Sequence, residues 1–276
     1  MSLPSDFQFS QSSLQDFVDC RRRFQLRYLE QLAWPAIETS PALEHERQMR
    51  MGAVFHRQAQ QHILGLPEER LSRMASDETL RLWWQNYLRQ SPPDLPEDRH
   101  PEIVLAAPLG GHRLVAKYDL LAITPGQRAV IVDWKTGQKR PSRRWLAERL
   151  QTRVYRYLLV EAGAHLNAGE PIAPEQVEMI YWFANHPDDP EHFAYDARQH
   201  QTDGETLEGL IGEIIGLGEN DFPLTTHERH CRFCPYRSLC QRGIEAGTLL
   251  ESEHDLDLGE DWSIDLDLEQ IAEIAF

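Results

Sequence analysis

The sequence predicts an α/β protein in which a mixed sheet is flanked by helices and preceded by a helical lobe. Three observations support this class. Apolar residues recur at helical spacing between about residues 10 and 90. A glycine turn at Gly110-Gly111 then joins two apolar runs in the manner of a β-hairpin. A third apolar run and an amphipathic helix follow, and this order is typical of a sheet covered by helices.

The first predicted helix covers residues 10–30. Its apolar residues repeat on one face, and Ser12 with Gln15 resembles a capping box near its start. Cys20 lies inside this predicted helix.

The other predicted elements follow in chain order. Proline-containing breaks separate the helices, and glycine or proline turns separate the strands. They are helices at residues 44–64 and 67–90, strands at 103–108, 114–123 and 129–134, a helix at 144–161, strands at 177–184 and 192–195, and a helix at 203–217.

The composition is that of an ordinary globular protein. The 276 residues suffice to bury the core of one large domain, and 41% of them are hydrophobic. No apolar run approaches the ~20 residues of a membrane helix, and the N-terminus lacks the basic and apolar regions of a signal peptide. We therefore expect a cytoplasmic, reducing location without membrane contact, where clustered cysteines more often bind metal than form disulfides.

The formal net charge of −16 is unevenly distributed. Residues 251–276 contain ten acidic residues and no Lys or Arg, and without them the chain has 28 basic and 34 acidic residues. We expect this segment to be a disordered, solubilising tail; the alternative is a docking segment that competes with DNA for a basic groove. Basic residues cluster at 21–23 and 135–144, so the acidic total does not exclude a phosphate-containing substrate.

Two carboxylates and a lysine fall at the ends of neighbouring predicted strands. Asp119 lies late in the second hairpin strand and Asp133 ends the next strand, so antiparallel pairing brings them side by side. Alternation places Lys135 on the same face as Asp133, while Trp134 points away and leaves its backbone carbonyl available as a ligand. Such a group suits Mg²⁺ or Mn²⁺ and phosphodiester hydrolysis, in which the lysine orients water or stabilises the transition state.

Three more polar side chains join this set from two predicted helices. Gln151 and Tyr155 are one turn apart and share a face. His56 adds an imidazole, and a nitrogen ligand shifts the preference towards Mn²⁺. Taken singly, each of the three is an ordinary helix-surface or core residue. Their order along the chain, together with the two carboxylates and the lysine, indicates a site.

Four cysteines occur in the chain: Cys20, Cys231, Cys234 and Cys240. Thiolates bind zinc or iron–sulfur clusters. A split of one plus three across the chain is unusual for structural zinc, which normally pairs two short cysteine knuckles. A zinc site made from the local cysteines with His227 or His230 is the alternative.

Together these motifs resemble the PD-(D/E)XK nuclease superfamily, in particular its RecB-like branch of AddB-type helicase-nucleases and CRISPR-associated iron–sulfur exonucleases. The resemblance spans most of the chain, and the second acidic position is Asp, a variant that the family permits. The matching pieces are the run from Ser10 to Cys20, Gly52-Ala53-Val54-Phe55-His56, Tyr118-Asp119, Val132-Asp133-Trp134-Lys135-Thr136-Gly137, Gln151 with Tyr155, and the closing Cys-x2-Cys-x5-Cys.

The resemblance implies a restriction-endonuclease-like fold with one nuclease domain over residues 1–250, comprising a helical lobe at about 10–90 and a catalytic core at about 100–200. It implies a divalent-metal site and a catalytic group. The metal ligands would be His56, Asp119, Asp133 and the Trp134 carbonyl, and the catalytic residues Asp119, Asp133, Lys135, Gln151 and Tyr155.

The resemblance also implies a [4Fe–4S] cluster on the four cysteines, which would dock the C-terminal cysteine segment on the first helix. Basic side chains near the cluster and the catalytic core are candidates for contact with the DNA backbone. These are Arg21, Arg22, Arg23, Lys139, Arg140 and Arg153.

The implied activity is a metal-dependent DNA exonuclease that acts on single strands or ends, commonly 5′ to 3′ in relatives, in DNA repair, recombination or CRISPR adaptation. A helicase or a CRISPR adaptation protein is the implied partner. The rival from another class is a noncatalytic DNA-binding or scaffold subunit of a helicase–nuclease complex. The intact Asp119, Asp133 and Lys135 argue against that rival.

Overall fold

A computed structural model describes residues 3–4, 6–33, 40–75, 77–218 and 220–243, with the side chains of 40–45 left aside. The predicted acidic tail, residues 251–276, lies outside this part of the chain. The helices are α1 (Gln11–Asp19), α2 (Arg21–Phe24), α3 (Ser40–Ile63), α4 (Glu68–Ser72), α5 (Glu78–Gln90), α6 (Arg143–Glu148), α7 (Leu150–Ala162) and α8 (Ala197–Gly216). The strands are β1 (Gln8–Ser10), β2 (Asp98–Leu109), β3 (His112–Thr124), β4 (Arg128–Lys135), β5 (Val177–Phe183) and β6 (His186–Ala194).

The six strands form one mixed sheet, as predicted. Its order is β1-β3-β4-β5-β6, and β2 pairs with the opposite edge of β3. The pairs β1–β3 and β4–β5 are parallel, and the other pairs are antiparallel. β1 pairs with residues 113–115 of β3 and β4 pairs with residues 120–124, so residues 116–119 lie in a gap between the two partners.

Hydrophobic clusters cover both faces of this sheet. On one face α1, α7 and α8 bury Leu14, Val154 and Leu207 against the strands. On the other face α3 and α5 bury six aromatic side chains together: Phe55, Trp83, Trp84, Tyr87, Trp134 and Trp182. The predicted helical lobe therefore packs directly on the sheet. None of the described helices combines the length and the hydropathy that crossing a bilayer requires.

The prediction for the first helix is wrong in two respects. Cys20 does not lie inside a helix, because its backbone is extended (φ −161°, ψ 106°) and separates α1 from α2. The capping box consists of Ser10 and Ser13, not of Ser12 and Gln15. A π-helical turn, Gln25–Leu29, continues α2.

Two other predicted helices are each divided in the structure. The 67–90 segment forms α4 and α5, and the 144–161 segment breaks at Arg149, whose backbone is extended. The three-residue strand β1 was not predicted, and α8 begins six residues earlier than expected. The predicted hairpin is confirmed and is longer than the apolar runs that indicated it.

Helix α3 approaches the end of β4 closely because it has a glycine at the contact. A Cβ atom on Gly52 would lie 2.8 Å from Thr136 Oγ1. His56 follows Gly52 by one helical turn and so lies on the same face of α3. The close contact therefore sets how near His56 comes to the residues that follow Asp133.

Replacing Gly52 by Ala tests this contact. A glycine-to-alanine change in an open helix stabilises by about 0.5–1 kcal/mol, and Gly209 in α8 has no atom near its missing side chain, so Gly209→Ala is the matched control. We expect Gly52→Ala instead to lower the free energy of unfolding by about 1–3 kcal/mol, because the new methyl overpacks against Thr136. Urea unfolding measures both variants.

The double variant Gly52→Ala, Thr136→Ala removes the clashing hydroxyl. It is expected to recover most of the loss of unfolding free energy. Equal stabilisation by Gly52→Ala and Gly209→Ala would show that α3 has room to accept a side chain at this position.

Candidate functional site

An imidazole and two carboxylates meet beside the central strand β3. His56 from α3, Glu102 from β2 and Asp119 from β3 each place one ligand atom within 4.8 Å of the others. His56 Nδ1 lies 3.1 Å from Asp119 Oδ1. All three side chains are partly exposed, so water and ions reach them. Nitrogen and carboxylate oxygens from three separate elements form a set that suits a divalent cation.

Glu102 was not predicted, and its position is strained. It lies opposite Asp119 in the β2–β3 register, between the pairs Pro101↔Leu120 and Ile103↔Tyr118. Its φ angle is +58°, a left-handed conformation that usually costs about 1–3 kcal/mol for a residue other than glycine. The like charge of Asp119 directly opposite adds to that cost, and an ion pair between Glu102 and Lys117 of β3 offsets part of it. Backbone strain of this kind clusters at functional sites.

The alternation of β3 is interrupted at the same level. Tyr118 packs in the cluster under α7, Leu120 packs in the cluster under α3, and Leu121 packs under α7 again. Regular alternation would place Tyr118 and Leu120 on one face. Asp119 therefore lies where β3 changes face, and its carboxylate contacts His56 of α3.

Asp133, Lys135 and Gln151 form a closed, buried triangle. Gln151 Nε2 donates to Asp133 Oδ1 at 2.7 Å, and Lys135 Nζ donates to Gln151 Oε1 at 3.0 Å. Lys135 Nζ also lies 3.1 Å from Asp133 Oδ2. Asp133 is only 1% exposed, so the ammonium and the amide stabilise a charge that water hardly reaches. Alternation along β4 does place Asp133 and Lys135 together.

A backbone hydrogen bond joins β4, which carries Asp133 and Lys135, to the acidic set. The Trp134 N–H donates to Asp119 Oδ2 at 2.8 Å. The β3–β4 ladder ends at Leu120↔Val132, and Asp119 and Asp133 are each the next residue beyond that pair. That their two carboxylates share one cation stays a prediction. The Trp134 side chain points to the other face, where it packs against Trp182 with ring centroids 5.6 Å apart. Ligation by its carbonyl stays a prediction.

Tyr155 lies behind the triangle, one turn after Gln151. Burial raises the pKa of the Tyr155 hydroxyl well above its usual value, and the nearby Asp133 and Asp119 carboxylates raise it further. The Tyr118 hydroxyl fixes the turn by donating to the Tyr155 carbonyl at 2.8 Å. The Tyr155 hydroxyl therefore keeps its proton beside the carboxylates.

The four cysteines meet although their sequence positions are far apart. All four are free thiols and line one small cavity with Arg23, His230 and Arg237. Burial raises the pKa of the Cys234 thiol to about 11, and burial also raises the pKa values of Cys231 and Cys240. Among the described residues, no three of these thiols lie within 4.8 Å of one another. A tetrahedral zinc tetrathiolate with Zn–S bonds of ~2.3 Å needs sulfur separations of ~3.8 Å.

A buried ionic group ties the C-terminal cysteine segment to α1. Arg23 is 3% exposed and contacts Asp16 at 2.6 Å and Asp19 at 3.0 Å. Arg23 also donates to the His230 carbonyl at 3.5 Å, and the Tyr236 hydroxyl donates to the Leu32 carbonyl at 3.0 Å. The predicted docking of this segment on the first helix is thus built from polar contacts as well as from the thiols.

The candidate DNA-contacting arginines are mostly engaged with carboxylates. Arg21 pairs with Glu213, Arg22 with Glu30, Arg140 with Asp189 and Glu191, and Arg153 with Asp203. Lys139 lies in the segment between β4 and α6. Arg23 is buried in its ion pairs, away from any backbone phosphate. A phosphate that binds the other arginines has to compete with these partners.

The comparisons with known proteins give a family match and two remote structural similarities. The sequence model of the PD-(D/E)XK nuclease superfamily matches residues 8–241. No curated protein matches the chain. The solved structure of SSO0001 shares 12% identity and a TM-score of 0.41, covering 88% of this chain and 89% of that chain. A candidate exonuclease from Eubacterium rectale shares 13% identity and a TM-score of 0.43, covering 78% and 85%. Neither similarity bears on the chemistry of the site.

Proposed function

The chain belongs to the PD-(D/E)XK nuclease superfamily, and on that premise we propose that it is a metal-dependent DNA exonuclease that hydrolyses phosphodiester bonds in single strands or at DNA ends. The observation that carries the proposal is the convergence of His56, Glu102 and Asp119 next to the Asp133–Lys135–Gln151 triangle. These side chains come from five separate elements. A noncatalytic scaffold has no need of such a group.

The residues at this point fit a divalent cation. His56, Glu102 and Asp119 would hold it. Asp133 and the Trp134 carbonyl, which that group does not include, stay as the further ligands that the resemblance implies. A bound Mg²⁺ or Mn²⁺ supplies charge neutralisation at the phosphate and lowers the pKa of water. Hard carboxylate oxygens suit both ions, and the imidazole favours Mn²⁺.

Lys135 and Gln151 then act on the phosphate and the attacking water. Gln151 accepts from Lys135 and donates to Asp133, so the ammonium is fixed at the edge of the acidic set. From there it donates a hydrogen bond to the attacking water or to a non-bridging oxygen as negative charge develops. The water oxygen bonds to phosphorus and releases a proton to solvent, the bond to the leaving oxygen breaks, and the leaving oxygen takes up a proton from solvent.

Glu102 adds a third carboxylate that raises the affinity for a cation. Its strained backbone and its position opposite Asp119 cost free energy in folding. A cation between the two carboxylates relieves their repulsion, so binding recovers part of that cost.

The four-cysteine cavity supports an iron–sulfur cluster more than zinc. The thiols come from both ends of the described chain and are spaced more widely than a tetrathiolate zinc site allows. Arg23, Arg237 and Arg242 also line the cavity and favour an anionic cluster there. We assign a [4Fe–4S] cluster to Cys20, Cys231, Cys234 and Cys240, with a structural role.

Preference for single strands or ends, a helicase or CRISPR adaptation partner, and a role in repair, recombination or spacer trimming follow from the resemblance to the RecB-like branch. The paired state of Arg21, Arg140 and Arg153 supports modest rather than tight binding of duplex DNA.

The activity is tested with anaerobically purified protein, Mn²⁺ and labelled single-stranded DNA in linear and circular forms. We expect digestion of the linear form alone. Asp119→Asn and Asp133→Ala are each expected to lower kcat at least about 100-fold, because they remove a ligand or the support of the lysine. Asp98→Asn, in the same hairpin but at its exposed far end, is the matched control and should retain full activity.

Two outcomes would contradict this function. Cleavage of circular DNA at the same rate would indicate an endonuclease. Binding of DNA without Mn²⁺-dependent hydrolysis by the fully loaded protein would instead favour the noncatalytic scaffold.

Glu102→Gln separates stability from metal binding. Without divalent cations we expect the free energy of unfolding to change by less than about 1 kcal/mol, because the variant loses both the repulsion from Asp119 and the ion pair with Lys117. Its Mn²⁺ affinity should fall by about 10–100-fold. Calorimetric unfolding with and without Mn²⁺ measures both effects. Glu97→Gln, an exposed change just before β2, should alter neither; a Glu102→Gln protein with unchanged Mn²⁺ affinity would remove Glu102 from the ligand set.

Cys240→Ser tests the cluster independently of activity. Wild-type protein prepared without oxygen is expected to be coloured and to contain iron and acid-labile sulfide in equal amounts. The variant should lose most of its colour and iron, and its C-terminal segment should become more sensitive to limited proteolysis. Ser238→Ala in the same segment should behave as wild type. Colourless wild-type protein that contains zinc would overturn the assignment.

A further inference from the structure

The aromatic ring of Tyr181 lies beneath the catalytic ammonium. Lys135 Nζ is 5.6 Å from the centroid of the Tyr181 ring, within the range of a cation–π contact. Tyr181 is on β5, where it is the register partner of Asp133. Its side chain is fully buried, so the ring faces Lys135 in a setting from which water is largely excluded. Desolvation strengthens an attraction between a cation and a ring face.

Neighbouring side chains fix the ring. The Tyr181 hydroxyl lies 2.7 Å from Thr152 Oγ1, and Thr152 Oγ1 donates to the Leu146 carbonyl at 2.5 Å. Phe193 meets the ring edge-on, with centroids 5.9 Å apart. Thr152 is also fully buried. The ring is therefore held at its hydroxyl end and against one side.

The ammonium of Lys135 needs such a support. A lysine side chain has four rotatable carbon bonds, and its ammonium is a point charge without a preferred plane. Asp133 and Gln151 direct it through two contacts. The fixed ring beneath it supplies a third constraint that opposes rotation of the chain away from the acidic set.

We propose that Tyr181 is a positioning residue for Lys135, whose ring face holds the ammonium at the phosphate-binding edge of the site. This inference rests on the proposed nuclease activity and adds a residue outside the predicted motifs. The ring face carries the effect, and the hydroxyl serves only to anchor the ring through Thr152.

The experiment compares ring and hydroxyl in the reaction of Mn²⁺-loaded holoprotein with linear single-stranded DNA. Tyr181→Phe keeps the ring face and should retain kcat within about twofold, whereas Tyr181→Leu should lower kcat by about tenfold or more with KM and Mn²⁺ affinity unchanged. Met179→Leu, in the same strand and the same hydrophobic cluster but with no role in holding the ring, is the control and should leave kcat near the wild-type value.

A series of fluorinated phenylalanines separates the effect of the ring face on kcat from any effect on folding. Phenylalanine with one, two or three ring fluorines at position 181 keeps the shape of the ring while weakening its negative face. We expect kcat to fall stepwise along the series while thermal unfolding stays constant. Equal kcat across the series would overturn the proposal.

The Lys135→Ala variant distinguishes a positioning role of Tyr181 from a general packing role. In single-turnover reactions Tyr181→Leu should cause no further loss there, because the side chain that it positions is absent. A further tenfold loss would show a general packing role instead. Absence of Mn²⁺-dependent digestion by the wild type would overturn the nuclease function and this inference with it. An active wild type with an equally active Tyr181→Leu would overturn the inference alone.

Discussion

The site depends on the hydrogen bond from the Trp134 N–H to Asp119. It forms where β3 stops pairing with β4, so a side-chain carboxylate occupies the backbone donor at the end of the ladder. The other oxygen of Asp119 faces His56 on α3. One carboxylate thus fixes the imidazole on one side of the sheet relative to Asp133 and Lys135 on the other. Displacing either strand would separate the proposed cation ligands from the Lys135 ammonium.

Gathering charge at this point opposes folding, and the rest of the sheet offsets the cost. Glu102 and Asp119 face each other across the hairpin, and Asp133 is nearly fully buried. Long runs of apolar residues on both sides of β4 and β5 hold the strands in register against that repulsion. Lys117 and Lys135 supply part of the counter-charge, and the proposed cation would add to it and stabilise the fold on binding.

Much of this arrangement could be predicted because it follows from local pattern. The glycine turn fixed the hairpin, and alternation fixed the common face of Asp133 and Lys135. Glu102 could have been found by counting outward from the turn, which pairs it with Asp119. Other features depend on tertiary contacts that sequence does not carry. The extended backbone at Cys20 serves the thiol cavity, and the break before α7 depends on a side chain from α1.

That break connects the four-cysteine cavity to the Asp133–Lys135–Gln151 triangle. The Leu150 N–H, in the first turn of α7, donates to Gln15 Oε1 at 3.3 Å, and Gln15 Nε2 donates to Asp19 at 2.8 Å. Asp19 in turn binds Arg23 beside the thiol cavity. Gln151, the amide that holds the catalytic lysine, follows Leu150 directly. The C-terminal end of α1 therefore makes polar contacts beside the four-cysteine cavity. The middle of α1 makes a polar contact with the first turn of α7. A buried N–H without a hydrogen-bond partner at the start of a helix costs free energy. The position of α7 therefore depends on the position of α1. The four-cysteine cavity can therefore influence the position of the Gln151 amide although it is remote from Asp133 and Lys135.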